Sequence, residues 1–222
     1  MNAPTPLPIP DSVRSVLLFG GLFDPPHIAH VRLAVQARDE ALGPDTYLVY
    51  VPAARSPHKA AGPAANDRHR LAMLALALDE VPRCAVWTDE IDRGGSSFWI
   101  DTLGRARSLL GPHVSQRFLI GTDQAAAFDR WRDFRGILAL ADPLVLLREP
   151  MLSTHALLGR MRATGSWSEA DLARWSGFVW DGSVASASST ESRSQVVAGE
   201  LLADLDPRVR DYIERHGLYR DQ

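Results

Sequence analysis

Cysteine is almost absent. Cys84 is the single one in 222 residues, which excludes an internal disulfide framework; the apolar run around it reads as the setting of a buried, reduced thiol. Long apolar runs are missing as well. No stretch approaches the ~18 residues of a membrane-spanning helix, so no membrane partner is expected. The opening residues lack the basic-then-apolar layout of a secretory signal, and the cytoplasm follows by default. Neither charge sign dominates: a net charge of −3 argues against a broad nucleic-acid surface and leaves room for a local basic pocket. Three familiar site signatures are missing too. No Lys-Ser/Thr follows a glycine-rich turn, no dinucleotide fingerprint occurs, and no His-Glu-x-x-His marks a zinc-protease helix.

What is present is ordinary for a soluble globular chain, with 45% hydrophobic and 23% charged residues, and the length suits one domain with a sizeable core. Pro4, Pro6, Pro8 and Pro10 make residues 1–13 an extended, mobile tail without a catalytic role; residues 14–222 form the domain. Apolar runs at 15–19, 47–51, 84–87, 118–120, 144–147 and 178–180 read as strands. Helical patterns lie between them: one capped by Asn66 or Asp67, one capped by Ser96 or Ser97 and stopped at Gly111, a short one over 131–140, and helical material over 151–176. Another is expected near 190–202, and Asp206-Pro207 opens a last helix with Val209, Tyr212 and Ile213 inward. The alternation predicts an α/β fold: a Rossmann-like, doubly wound parallel sheet flanked by helices, in a single domain with a small helical C-terminal part. Ligands of such sheets sit at the carboxyl ends of the strands, where strand order reverses.

The most informative stretch is Leu17 to His30, LLFGGLFDPPHIAH. A strand stops at Gly20-Gly21, whose missing side chains let a ligand approach the backbone. Asp24 followed by Pro25 is a helix-start signal, an N-cap acid and a proline at the first helical position. A helix start offers unpaired N–H groups and the positive end of its dipole, both suited to phosphate. His27 and His30, at i and i+3, then point the same way. The second stretch is Ser186 to Arg193. Ser188 and Glu191 have capping-box spacing, and Arg193 in the first turn of a helix is unfavourable without an anion. Hydroxyls, free N–H groups and an arginine together suit a triphosphate.

Gly20-Gly21-x-Phe23-Asp24-Pro25-x-His27-x-x-His30 resembles the signature of the HxGH-type nucleotidyltransferase superfamily, and Ser188-Ser189-Thr190-x-x-Arg193 resembles its second signature, with Ser192 in place of the usual aliphatic residue. Further segments are similar to one branch, the nicotinate- and nicotinamide-nucleotide adenylyltransferases. They are Pro57-His58-Lys59, Arg70-x-x-Met73-x-x-x-Ala77, Asp101-Thr102-Leu103, Ile120-Gly121-x-Asp123 with Trp131, and the C-terminal Val209-x-x-Tyr212-Ile213-x-x-His216-Gly217-Leu218-Tyr219. The likeness spans about residues 15–220. One departure concerns Ser97-Phe98-Trp99, where the family commonly has Ser-Tyr-Thr: Trp99 either simply packs or reshapes the pyridine pocket.

The resemblance implies transfer of AMP from ATP to nicotinate mononucleotide, giving deamido-NAD and pyrophosphate in NAD biosynthesis. It implies catalytic roles for His27, His30, Lys59 and Arg193. ATP contacts would come from Gly20, Gly21, Phe23, His27, His30, Gly121, Asp123, Ser188, Ser189, Thr190 and Arg193. Pyridine-nucleotide contacts would come from Gly21, Lys59, Phe98, Trp99 and Trp131. Mg²⁺ is expected with ATP, and no protein metal ligand is assigned. The alternative is a nicotinamide mononucleotide adenylyltransferase or a dual-specificity enzyme. A metal-dependent hydrolase built on His27, His30 and His58, and a non-catalytic nucleotide sensor, are rivals of other classes. Homo-oligomerisation is left open.

Overall fold

The computed structural model describes residues 2–55, 62–185 and 204–220. Six strands, β1 (Ser15–Gly21), β2 (Thr46–Pro52), β3 (Cys84–Val86), β4 (Ser115–Gly121), β5 (Asp142–Arg148) and β6 (Val179–Ala185), form one sheet in the order β3-β2-β1-β4-β5-β6. Every adjacent pair is parallel. From β1 the chain winds outward through β2 and β3 on one side and, after returning, through β4, β5 and β6 on the other. The order therefore reverses between β1 and β4, and their carboxyl ends flank the crevice where such sheets take ligands.

The central strands read as continuous apolar runs because both faces are covered. Val16, Leu18, Val49, Val51, Phe118 and Val145 face one core, which α4 (Trp99–Leu110), α5 (Thr122–Ala126), α6 (Phe134–Leu140), α7 (Thr154–Arg162) and α8 (Glu169–Ser176) help close. Leu17, Leu48, Tyr50, Leu119 and Leu144 face the other, beneath α1 (Ile28–Leu42) and α2 (Asp67–Leu78). The last helix, α9 (Pro207–His216), lies on α2, where Val209 and Ile213 meet Met73 and Ala77. Tyr212, expected inward, is half-buried and meets His69, whose Nδ1 lies 3.0 Å from its hydroxyl. The 151–176 segment is a helix pair; Ser168 starts α8 in a capping box with Asp171. Trp175 packs among Phe128, Trp167 and Phe178.

Four local expectations are corrected. Asp24-Pro25 does not open α1: that helix begins at Ile28 with His27 as N-cap, because the Asp24 carboxylate is engaged elsewhere. Neither Ser96 nor Ser97 caps α4, whose N-cap is Phe98. The Ser97 hydroxyl instead accepts from the Ala54 N–H at 3.0 Å. A short helix, α3 (Asp89–Arg93), precedes α4 where no helix was expected. Cys84 is half-buried rather than buried; that burial still pushes its thiol up to about 11, against an opposing pull from Arg38.

The proline-rich start is extended, as expected, but it is pinned rather than mobile. Thr5 N donates to Asp89 Oδ1 at 2.8 Å, and Thr5 Oγ1 donates to Asp92 Oδ2 at 2.7 Å. The buried Trp87 donates its indole N–H to the Thr5 carbonyl at 2.8 Å. Arg105 donates to the carbonyls of Asn2 and Ala3 while gripping Asp89 with two contacts of 2.6 Å. Leu7, Ile9 and Val13 pack on the core. Prolines here lower the entropy lost on docking instead of preventing it. Deleting residues 2–12 is expected to lower the unfolding free energy by about 2–4 kcal/mol, from two part-buried hydrogen bonds, those of Thr5 with Asp89 and Trp87, and the apolar contacts of Leu7 and Ile9. Urea unfolding measures this; an unchanged midpoint would show that the strap rests on the surface without holding it.

Candidate functional site

Three strand ends, those of β1, β4 and β5, supply the site. β1 ends at Gly20-Gly21, and the turn to α1 presents His27 and His30. Their rings stack at 3.6 Å between centroids, as the i, i+3 spacing predicts. His27 N donates to His30 Nδ1 at 3.3 Å. That acceptor role leaves the proton of a neutral His30 on Nε2, the atom that can donate to a ligand oxygen. The Phe23 ring is buried and meets His30 edge-on at 5.2 Å, with Phe19 and Tyr50 beside it. Phe23 therefore backs the ring of His30.

His27 is 5% exposed, and its Nδ1 is buried without a hydrogen-bond partner among the described residues. Burial, and then the nearby Arg148 guanidinium, lowers its pKa to about 4. His27 is thus neutral at pH 7 in the unliganded protein. It brings no positive charge of its own, and among the described residues the Arg148 guanidinium is the cation that acts on it. A group with a depressed histidine pKa resists a proton that the unfolded chain accepts, so stability is full above about 6.5 and falls between about 6.5 and 4. The expected loss is roughly 3 kcal/mol. Urea titrations at pH 7 and 4.5 measure it, and His27→Gln should flatten the difference; an equal loss in that variant would assign the pH dependence to other groups.

Arg148 was not foreseen. It is the last residue of β5, and Thr122 Oγ1 accepts from its N–H and donates to its carbonyl at 3.1 and 3.0 Å. A Cβ on Gly121 would lie 2.7 Å from Arg148 Cδ and 2.6 Å from Asp123 Oδ1. Glycine at the end of β4 is therefore what lets the arginine stem cross the strand end. Arg148 and Asp123 stand 3.9 Å apart, so a guanidinium and a carboxylate face the same crevice as the histidine turn. The only sequence clue was position, a charged residue directly after an apolar strand.

Gly20 has a second occupant. A Cβ there would meet Trp99 Cζ3 at 2.6 Å, and the indole lies 6.0 Å from the Phe118 ring. Trp99 packs on the glycine backbone at the rim of the site, so that approach is taken by protein. A Cβ on Gly21 would likewise touch the Phe23 ring at 3.0 Å. Arg132 lies over the Phe98 ring at 4.7 Å, joining the start of α4 to the segment that carries Trp131, whose ring sits 5.0 Å from Phe128.

The first turn of α1 is less open than a bare helix start. Ile28 N donates to the Asp204 carbonyl at 2.7 Å. Lys59, Ser188, Ser189, Thr190 and Arg193 lie outside the described residues, as does the helix expected near 190–202. The structure brings together His27, His30, Asp123, Gly121 and the two glycines of β1, and sets Phe98, Trp99 and Trp131 along the α4–α6 side. Among the described residues, no three of His, Cys, Asp or Glu converge as a cage for a cation, and no helix is long and apolar enough to cross a membrane.

A cytidylyltransferase-like family model matches residues 18–194. Among curated proteins, one from Laribacter hongkongensis named "Probable nicotinate-nucleotide adenylyltransferase" is 35% identical, covering 92% of this chain and 94% of that protein. Another of the same name, from Bordetella petrii, is 36% identical over 94% of this chain and its own full length. Among solved structures, Plasmodium falciparum nicotinic acid mononucleotide adenylyltransferase complexed with NaAD superposes with a TM-score of 0.69 at 15% identity, covering 94% of this chain and 98% of that one. That structural likeness bears on the fold.

Proposed function

This chain belongs to the nicotinate-nucleotide adenylyltransferase family, within the cytidylyltransferase-like group, and from that premise we propose that it transfers AMP from ATP to nicotinate mononucleotide. The 5′-phosphate oxygen of the acceptor is nucleophilic at neutral pH. It attacks the α-phosphorus of ATP; the new P–O bond forms as the bond to the β-phosphate breaks, and pyrophosphate leaves. Neither a protein nucleophile nor a base is required. The work is in-line positioning and the drawing of charge off the phosphorus and the leaving group.

The observation that carries this reading is the stacked His27–His30 pair at the start of α1, with an unpartnered buried Nδ1 and the Arg148 guanidinium nearby. His30 donates to a phosphate oxygen. Arg148 supplies fixed charge and, as a polyphosphate arrives, the anion offsets the burial cost and the Arg148 repulsion that together keep His27 neutral. Lys59, Arg193 and the 188–190 segment add the donors and charge that the family resemblance assigns them. Asp123 accepts from the adenosine ribose hydroxyls, Trp131 stacks on the pyridine, and Phe98 with Trp99 borders it. Mg²⁺ would accompany ATP and draw charge off its phosphates, and no residue of this chain is assigned to hold it.

A pyrophosphate-release assay with purified protein, ATP and either pyridine mononucleotide tests the reaction and its acceptor. The expected result is acceptor-dependent release, faster with nicotinate mononucleotide. Faster turnover of nicotinamide mononucleotide would reverse the acceptor assignment, and ATP consumption indifferent to both would overturn adenylyl transfer.

A further inference from the structure

Asp24 was read from sequence as a helix cap, and the structure gives it another task. It is 1% exposed, and its carboxylate accepts from three donors remote in sequence: Ala64 N at 2.6 Å, Ala65 N at 3.1 Å and the Tyr219 hydroxyl at 2.6 Å. Tyr219 is itself buried, in the small cluster with Met73, Val209 and Ile213. The C-terminal segment therefore grips the turn before α1 twice, through Tyr219 at Asp24 and through the Asp204 carbonyl at Ile28 N. His27 lies between those two grips.

The turn needs holding. Phe23, immediately before Asp24, sits in the left-handed region with φ 48°, a conformation that a bulky side chain adopts only where its surroundings over-determine it. A hydrogen bond to a buried carboxylate is charge-assisted and stronger than a neutral one. Deleting one donor lets the turn relax, and small displacements of groups that bind a transferring phosphoryl carry large rate penalties.

We propose that Tyr219 and Asp24 are a positioning pair for adenylyl transfer: the phenol near the C-terminal end sets the pitch of the His27–His30 turn through the Asp24 carboxylate, with neither residue touching substrate. This rests on the reading given under Proposed function. It differs from a purely structural role in what it moves, because a fold-stabilising contact lowers the melting temperature and leaves turnover by the folded enzyme unchanged.

The test compares wild type, Tyr219→Phe, Asp24→Asn and the double variant, each as the full chain. Read-outs are the melting temperature, kcat, KM for each substrate, and the dissociation constant for inorganic tripolyphosphate. Tyr219→Phe is expected to lower kcat about 10-fold and weaken tripolyphosphate binding about 5-fold, while KM for the pyridine mononucleotide stays within about two-fold. Asp24→Asn should cost more, because the amide turns a donor toward one of the backbone N–H groups. The double variant should be no slower than Asp24→Asn alone, the signature of two residues acting through one bond. A Tyr219→Phe enzyme with wild-type kcat and tripolyphosphate affinity overturns the pairing, whatever its melting temperature, as do kcat losses that multiply in the double variant. If Asp24→Asn does not fold, Tyr219→Phe alone decides. Should wild type release no pyrophosphate with either acceptor, adenylyl transfer fails while the tripolyphosphate arm still reads the effect of Tyr219 on the turn.

Discussion

Alanine at His30 is expected to lower kcat by about 10²–10³-fold, the loss typical of one preorganised donor aimed at developing charge. The substitution removes the Nε2 donor and the ring stacked on His27 at 3.6 Å. It also removes the Nδ1 acceptor of the 3.3 Å bond from His27 N, so His27 loses orientation together with its neighbour. Folding should survive. The ring is half-buried, alanine suits a helix first turn, and one long hydrogen bond is worth about 1 kcal/mol or less. Steady-state kinetics beside circular dichroism separate the two effects. Near-normal turnover in a folded variant would remove the histidine pair from the mechanism and leave the chemistry to Arg148 and the residues outside the described segments.

The second large effect is expected at Arg70, a fully buried arginine of α2. Its guanidinium donates to the Leu22 carbonyl at 2.7 Å, the Ala53 carbonyl at 2.8 Å and Asp67 at 2.6 Å. It thus ties the turn after β1 to the end of β2, the two strand ends that lead to His27 and toward Lys59. Arg70→Met, similar in length and apolar, leaves two carbonyls without their donor and is expected to cost about 2–4 kcal/mol of stability. Asp67 contributes little to that loss, since its side chain is 47% exposed and can turn to water. Turnover should fall as well, because Leu22 is freed two residues before Asp24. Lysine should recover only part of either loss, a single ammonium being unable to reproduce the fork. Chemical denaturation gives the stability change. A methionine variant as stable as wild type would mean that the cost of burying the guanidinium cancels its bonds.

The fold was largely legible because its signals are local and repeated. Apolar runs marked all six strands, Asn66 marked the start of α2, and Gly111 marked the stop of α4. What escaped depended on distant partners. Asp24-Pro25 carries every local mark of a helix start, yet Asp24 answers to donors 40, 41 and 195 positions away, which no capping rule can see. Ser97 was lost as a cap because its hydroxyl serves Ala54 across the sheet edge. The proline-rich start was expected to wander because composition carries no record of Trp87, Asp89 and Arg105 waiting to receive it. The site divides the same way. The histidine pair is written in a spacing, whereas Arg148 enters it only through the sheet order, which sets the end of β5 beside Gly121 of β4.

The charge pattern of the site follows from these placements. Burial, helped by the Arg148 guanidinium, holds His27 neutral, so the crevice avoids stacking two protonated imidazoles beside that arginine.

A crystal structure with a non-hydrolysable ATP analogue and nicotinate mononucleotide tests the central claim most directly. The account predicts polyphosphate oxygens within about 3 Å of His30 Nε2, with Arg193 on the same polyphosphate and the acceptor phosphate in line with the α-phosphorus. A polyphosphate seated away from the start of α1, or His30 and Arg193 on opposite sides of the sheet, would contradict it.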